Sequence, residues 1–130
     1  MKVAIIAHDN KKADMVAFVM KRMDFFKRKD IELVATGTTG KHIEHSGLKV
    51  TCLKSGPMGG DAQIASLLVD GNIDVVFFFI DPLYSHPHEV DIHMLMRLCN
   101  VYDIPLATNY TTSKLLVDAL SIETIENPFV

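Results

Sequence analysis

The run Val75-Val76-Phe77-Phe78-Phe79-Ile80 constrains the fold more than any other stretch. It is apolar throughout, with no polar alternation. A run of this length suits a strand covered on both faces, and such strands belong to parallel sheets with helices on either side. Val3–Ala7, Ile31–Ala35, Lys49–Leu53 and Pro105–Thr108 also read as strands. Helices are expected between and after them. In Lys11–Phe26, Met15, Val19, Met23 and Phe26 recur at helical spacing, and shorter helices fall at Lys41–Ser46, Ala62–Asp70, Asp91–Tyr102 and Thr112–Leu120. Strand and helix alternate along the chain, which predicts an α/β domain of three layers, α/β/α, around a five-stranded, mainly parallel sheet. No repeat or linker divides residues 1–130, so a single domain is expected. The segment Ser121–Val130, with Asn127-Pro128 near its end, reads as a short strand or extended tail.

Composition narrows the function classes. The 130 residues are 48% hydrophobic, enough for a full core. No apolar run approaches the ~20 residues of a membrane span, and Met1-Lys2-Val3 leads directly into the first strand, so neither a membrane anchor nor a signal peptide is expected. Cys52 and Cys99 lack disulfide or zinc spacing, which suits reduced thiols in the cytoplasm, and Cys52, within a strand, reads as a small core residue. The net charge of −3 is unevenly spread. Residues 1–54 hold 11 basic and 6 acidic side chains, whereas residues 55–130 hold 2 basic and 10 acidic. An acidic total argues against nucleic acid as a partner, because counterion release needs a basic surface. Lys21-Arg22 and Lys27-Arg28-Lys29 read as solvated faces, as do His42, His45 and His93 within their helices.

Ligands of open α/β sheets bind beyond the carboxyl ends of strands, and here every strand runs into polar or glycine-rich residues. The first meets His8-Asp9-Asn10-Lys11-Lys12 and the second Thr36-Gly37-Thr38-Thr39-Gly40. The third meets Ser55-Gly56-Pro57-Met58-Gly59-Gly60-Asp61, the fourth Asp81-Pro82-Leu83-Tyr84-Ser85-His86-Pro87-His88-Glu89-Val90-Asp91, and the fifth Asn109-Tyr110-Thr111-Thr112-Ser113. Thr36–Gly40 offers hydroxyls, close backbone N–H groups and a helix N-terminus, a combination suited to phosphate. Thr38 or Thr39 would serve equally as a plain helix cap. Neither a Walker A nor a dinucleotide fingerprint is present. Ser55 and Gly56 would complete an anion cradle. Asp61 suits two roles, a first-turn cap or a general base. His88 and Asp91, three residues apart, suit a carboxylate-oriented imidazole that polarises a substrate oxygen, or a solvated loop. His86 and His88 invite a metal reading, in which Asp81 would join them, but no third ligand falls at characteristic spacing, and no metal is expected. Asp81, directly after the apolar strand, would anchor its loop or act as a second carboxylate.

Taken in order, Ala7-His8-Asp9 with Lys12, Ala35 through Gly40, Ser55 through Asp61, Phe78-Phe79 through Asp81-Pro82-Leu83, Pro87-His88 with Asp91, and Ile104-Pro105 through Asn109 resemble the methylglyoxal synthase family over residues 3–118. Ser-Gly-Pro-Met-Gly-Gly-Asp is the most specific block. The Thr-Gly-Thr turn is shared with related regulatory and cyclohydrolase domains. The resemblance implies a Rossmann-like fold and a lyase that converts dihydroxyacetone phosphate to methylglyoxal and inorganic phosphate, a bypass of glycolysis, without metal or organic cofactor. It implies that Lys12, Thr36, Gly37, Thr38, Thr39, Ser55 and Gly56 hold the phosphate and that Asp61 takes a carbon-bound proton to give an enediolate. His8 and His88 would contact substrate oxygens, Asp91 would support His88, and Asp81 matches a further acidic position. It also implies a homohexamer inhibited by phosphate.

Two departures stand out. No Lys or Arg follows Lys114, so the tail arginine by which longer family members reach a neighbouring subunit's phosphate has no counterpart. Glu89-Val90 replaces the Asp-Pro of some members. The competing reading is a non-catalytic effector-binding module, like the regulatory domain of carbamoyl phosphate synthetase. That module would need the Thr-Gly-Thr turn but not Asp61, His88 and Asp91. A cyclohydrolase fragment would lack the rest of its catalytic domain.

Overall fold

The computed structural model describes residues 1–83 and 89–126, apart from the side chains of 89–91 and 123–126. Five strands, β1 (Lys2–Ala7), β2 (Glu32–Thr36), β3 (Val50–Leu53), β4 (Val75–Phe79) and β5 (Leu106–Ala107), form one sheet in the order β3-β2-β1-β4-β5. All four pairings are parallel. The helices are α1 (Lys12–Lys21), α2 (Met23–Phe26), α3 (Gly37–His45), α4 (Gly60–Val69), α5 (Glu89–Val101) and α6 (Tyr110–Glu126).

The apolar run behaves as its composition requires. Each residue of β4 is buried, and the pleat sends its side chains alternately into two cores. Val75, Phe77 and Phe79 join Val3 and Ile5 of β1 beneath α1, α2, α3 and α6. Val76 and Phe78 join Ala4 and Ile6 beneath α4 and α5, with Ile64, Leu68, Ile92 and Leu95. Phe18 is the centre of the first core, with its ring 5.5 Å from Phe77 and 5.6 Å from Phe79.

Several boundaries differ from the sequence reading. The long first helix breaks at Arg22, whose backbone (φ −121°, ψ 36°) leaves the helical region. Arg22 is not a solvated face. Its guanidinium lies 4.9 Å from the Phe18 ring centre and donates to Tyr110 Oη at 3.3 Å, tying α1 to the start of α6. That hydrogen bond also pulls the Tyr110 phenol below its ordinary pKa. Residues Ser121–Glu126 are helical rather than extended, because α6 continues well past Leu120. The end of the chain, 127–130, lies outside the described residues. Among the described residues, no helix is long and apolar enough to cross a membrane.

Cys52 is also corrected. It is exposed rather than buried, because β3 is a short edge strand whose Thr51 and Cys52 stand at the rim. Cys99, in contrast, is 1% exposed, and burial pushes its thiol up to about 11. Thiol reagents attack the thiolate. The folded protein should therefore release one equivalent of chromophore with a disulfide reagent at neutral pH, from Cys52, and a second only on denaturation. A Cys52→Ser variant should show no native reactivity in the same titration.

Candidate functional site

In the sheet order, β1 lies where the chain's progress reverses direction. The connection after β1 leads to β2, and that after β4 leads away to β5. The crevice at such a switch point is the expected ligand site. A cleft of about 460 Å³ opens there, lined by Ile6, Ala7, His8, Asp9, Lys12, Thr36, Gly37, Ser55, Gly56, Pro57, Asp61 and Phe78. The exits of β1, β2 and β3 thus converge on one space. The exit of β5 does not. Thr108 and Asn109 line a separate concavity with Lys11, Asp14, Phe79, Ile80 and Tyr110.

Thr36 supplies the extended residue before α3, and the helix begins at Gly37, earlier than expected. Gly37 has φ +57°, a conformation that L side chains rarely adopt. Its N–H donates to the Lys54 carbonyl at 3.3 Å, which lays the start of α3 against the end of β3. Amides of a first helical turn lack partners within the helix, and Gly37, whose own N–H goes to Lys54, is the residue of this turn that lines the cleft. Lys12 comes from the start of α1. Its Nζ lies 2.8 Å from Asp9 Oδ1 and 2.9 Å from Thr38 Oγ1. Thr38 therefore belongs to the site through Lys12, without lining the cleft. Thr39 is fully buried, does not line it, and its Oγ1 has no hydrogen-bond partner among the described residues.

Ser55 precedes a 3₁₀ turn, Gly56–Met58, with Pro57 at its start. Ser55's carbonyl accepts from Met58 N–H at 3.1 Å and Gly60 N–H at 2.8 Å, so the chain doubles back into α4. The approach is close. A Cβ on Gly60 would stand 2.0 Å from the Lys54 carbonyl oxygen and 2.8 Å from that of Ser55. Gln63 adds a tie, accepting from Lys54 N–H at 3.0 Å. Gly59, with φ +108°, occupies the cap position of α4, so Asp61 lies inside the first turn and is not the cap. Its side chain instead faces the Ser55–Gly56 turn. Its carboxylate oxygens lie 3.1 and 3.2 Å from the place where a Gly56 Cβ would be. Asp61 is 1% exposed, an unusual burial for a carboxylate.

His8 ends β1 and is 5% exposed. Its backbone N–H donates to the Phe79 carbonyl at 3.1 Å, extending the β1–β4 ladder by one step. Its ring packs edge-on against Phe78 at 5.2 Å, and its Nδ1 accepts from the Asp81 backbone N–H at 2.8 Å. Asp81's carboxylate does not line the cleft. It accepts from Asn10 Nδ2 at 3.0 Å and from Leu83 N–H at 3.1 Å. Among the described residues no cluster of His, Cys, Asp and Glu could hold a metal ion. His86 and His88 lie outside the described residues. So does the side chain of Asp91, whose backbone is in the first turn of α5.

The structure thus brings His8, Lys12, Thr36, Gly37, Ser55, Gly56 and Asp61 together and leaves Thr39 and the Asp81 carboxylate outside the cleft lining. Sequence reasoning assigned no role to Asn10 or to the walls Ile6, Pro57 and Phe78. The walls carry no polar signal, and Asn10 was one polar residue among five in its turn.

These features define an open parallel α/β protein with a small-molecule cleft at its switch point. Comparison with known proteins makes the class specific. Residues 14–108 match the family model of the MGS-like domain. The methylglyoxal synthase of Carboxydothermus hydrogenoformans is 52% identical over 122 residues, covering 93% of this chain and 99% of the relative. That of Acholeplasma laidlawii is 50% identical over 121 residues, covering 92% and 98%. The crystal structure of methylglyoxal synthase from Elizabethkingia anophelis NUHP1 superposes with a TM-score of 0.81 at 40% identity, covering 89% of this chain and 76% of that one. The chain belongs to the methylglyoxal synthase family.

The Gly60 contact generates a prediction. Gly60→Ala forces a methyl group against backbone rather than against a flexible side chain. It should destabilise the protein by about 3 kcal/mol or more, at or above the upper end of ordinary overpacking. Gly47→Ala, where a Cβ would meet nothing within 4 Å but φ is +100°, should lose less. Urea unfolding of the two variants makes the comparison.

Proposed function

We propose that the protein is a lyase that converts dihydroxyacetone phosphate to methylglyoxal and inorganic phosphate in the cytoplasm, with Asp61 as the general base. The observation that carries this reading is the buried Asp61 carboxylate, set in one cleft with Lys12, Ser55 and Gly56. The relatives named methylglyoxal synthase, alike over nearly the whole chain, support it. They favour the enzyme over an effector-binding module of the same fold.

In this mechanism the phosphate lies against Lys12, the Thr36–Thr39 turn and the Ser55–Gly56 turn, where one cation and several amide and hydroxyl donors meet. Asp61 removes a proton from the hydroxymethyl carbon. The electron pair of that C–H bond forms a carbon–carbon double bond, and the carbonyl π electrons move to oxygen, giving an enediolate. His8 and His88 donate to the oxygens where this charge develops, with Asp91 supporting His88. The enediolate electrons then expel phosphate from the adjacent carbon as its C–O bond breaks. As phosphate leaves, the hydroxyl on the former hydroxymethyl carbon gives up its proton to become the aldehyde, and the enolate so formed takes a proton at its terminal carbon to give methylglyoxal. Elimination requires the breaking C–O bond to lie out of the enediolate plane, so a cradle that grips the phosphate decides between loss of phosphate and simple isomerisation. The reading needs no metal or organic cofactor. It extends to a homohexamer inhibited by its phosphate product, which light scattering and product-inhibition kinetics test directly.

Purified protein incubated with dihydroxyacetone phosphate should release methylglyoxal and phosphate in equal amounts. Folded protein that gives no product above the uncatalysed rate refutes the proposal. Asp61→Asn keeps the side chain's shape but removes the base. Activity should fall by a factor of roughly 10² or more, with the unfolding temperature within a few degrees of the unaltered protein and phosphate binding retained. Survival of activity in this variant would move the base elsewhere, to Asp81 or Asp9.

A further inference from the structure

His8 is held by a closed ring of hydrogen bonds between the exits of β1 and β4. The Asp81 backbone N–H donates to Nδ1 at 2.8 Å. A ring nitrogen that accepts carries no proton, so the imidazole is neutral with its proton on Nε2. A carboxylate at the same nitrogen would do the opposite, favouring Nδ1–H and the imidazolium. The choice between these states therefore rests on which part of Asp81 faces the ring.

That amide is not fixed by the sheet. β4 ends at Phe79, and the Ile80 N–H is already directed to the Thr108 carbonyl at 3.3 Å. The aim of the Asp81 amide depends on its own turn, and its carboxylate holds that turn at two points. Oδ1 accepts from Leu83 N–H at 3.1 Å, and Oδ2 accepts from Asn10 Nδ2 at 3.0 Å. Asn10 belongs to the 3₁₀ turn Asp9–Lys11 that follows His8 directly. The imidazole and the amide that sets its tautomer are thus anchored to one turn.

We propose that Asn10 is a positioning residue for His8. Acting through the Asp81 carboxylate, it keeps the Asp81 amide on Nδ1 and so fixes His8 as a neutral Nε2–H donor. Asp81 is then a clamp rather than a second proton-transfer carboxylate. A neutral imidazole N–H polarises a substrate oxygen without surrendering its proton outright, the use made of the neutral histidine in triosephosphate isomerase. For its catalytic meaning the proposal rests on the lyase reading above. Its structural content stands apart from that reading.

The test combines side-chain ¹⁵N NMR of the histidines in the ligand-free protein with steady-state kinetics on dihydroxyacetone phosphate. In the unaltered protein His8 should show a protonated Nε2 and an unprotonated Nδ1, assigned by loss of the signal in His8→Gln. Asn10→Ala removes the donor. Asn10→Asp keeps the shape but sets a carboxylate against a carboxylate. Asn10 is exposed, so both variants should keep the fold, as far-UV circular dichroism will report. In both, His8 should shift toward a mixture of tautomers, and kcat should fall by roughly tenfold with little change in KM, the scale of one lost hydrogen bond to a charged group. Asp81→Asn, which keeps one acceptor oxygen where the carboxylate has two, should lose less than Asp81→Ala, which keeps none. A protonated Nδ1 in the unaltered protein overturns the proposal, as does an unchanged His8 pattern in both Asn10 variants. A tautomer shift in a protein that makes no methylglyoxal supports the clamp and defeats the lyase reading alone.

Discussion

Strands β1 and β4 pair in parallel from Val3 and Val75 to Ala7 and Phe79, and the ladder continues one step further through the His8 amide. More than half the chain lies between the two strands, so their pairing closes a long loop at an entropic cost that local contacts cannot offset. Burial of β4 on both faces offsets it, at about 1.5–3 kcal/mol for each large apolar side chain removed from water. Once the pair has formed, much else follows. β2 and β3 add on one side and β5 on the other, which puts the reversal of strand order beside His8. The cleft lies there because the connections after β1 and β4 leave in opposite directions. Its floor is made of the last residues of these strands, Ile6, Ala7 and Phe78.

This dependence explains what was legible in the amino-acid sequence. β4 announces itself because double burial removes polar alternation, and a doubly buried strand implies helices on both faces. The order of strands and helices followed from that. The starts of α3 and α4 were harder to read. Gly37-Thr38-Thr39-Gly40 and Gly59-Gly60 have poor intrinsic helix propensity, and tertiary contacts override it. Gly37 is held by the Lys54 carbonyl and Gly60 by that of Ser55. These early starts move Asp61 from a cap into a first turn, where its side chain faces Gly56. Cys52 misled because an apolar-looking strand position is buried only if the strand is flanked, and β3 has a neighbour on one side alone. Within the site, chemistry-bearing residues were legible as types, but their division of labour was not. Lys12 with Thr38, and Asn10 with Asp81, pair across separate elements. Only the folded sheet edge brings them within reach.

The uneven charge of the chain has a local explanation. Four of the eleven basic residues of the first half pair with acidic neighbours close in sequence. Lys11 lies 4.0 Å from Asp14, Lys27 3.3 Å from Asp24, and Arg28 is paired with Asp30. Exposed pairs of this kind contribute about 0–1 kcal/mol each, so they neutralise a surface more than they hold a fold. Among lysines and arginines, Lys12 is the one that lines the cleft. The charge that this half brings to the cleft is one ammonium group.

That ammonium group is shared before any ligand arrives. Asp9 and Thr38 hold Lys12 Nζ at 2.8 and 2.9 Å, and the Asp9 side chain is 92% exposed. A lysine left alone at a cleft mouth would sample many rotamers, and an arriving anion would bear the cost of ordering it. Asp9 reduces that cost by ordering Lys12 in advance. Because Asp9 is so exposed, displacing it from Lys12 returns a carboxylate to water already around it, with little desolvation to reverse. On the proposed reading, an anion with a greater charge and more acceptor oxygens than a carboxylate would outcompete Asp9 at Nζ while the Thr38 contact stays in place. Thr38 stands at the first turn of α3, beside amides that also face an anion favourably. A dianion bound to both gains where Asp9, fixed to the turn after β1, cannot follow. On the proposed reading, the cleft would favour an anion that spans the exits of β1 and β2.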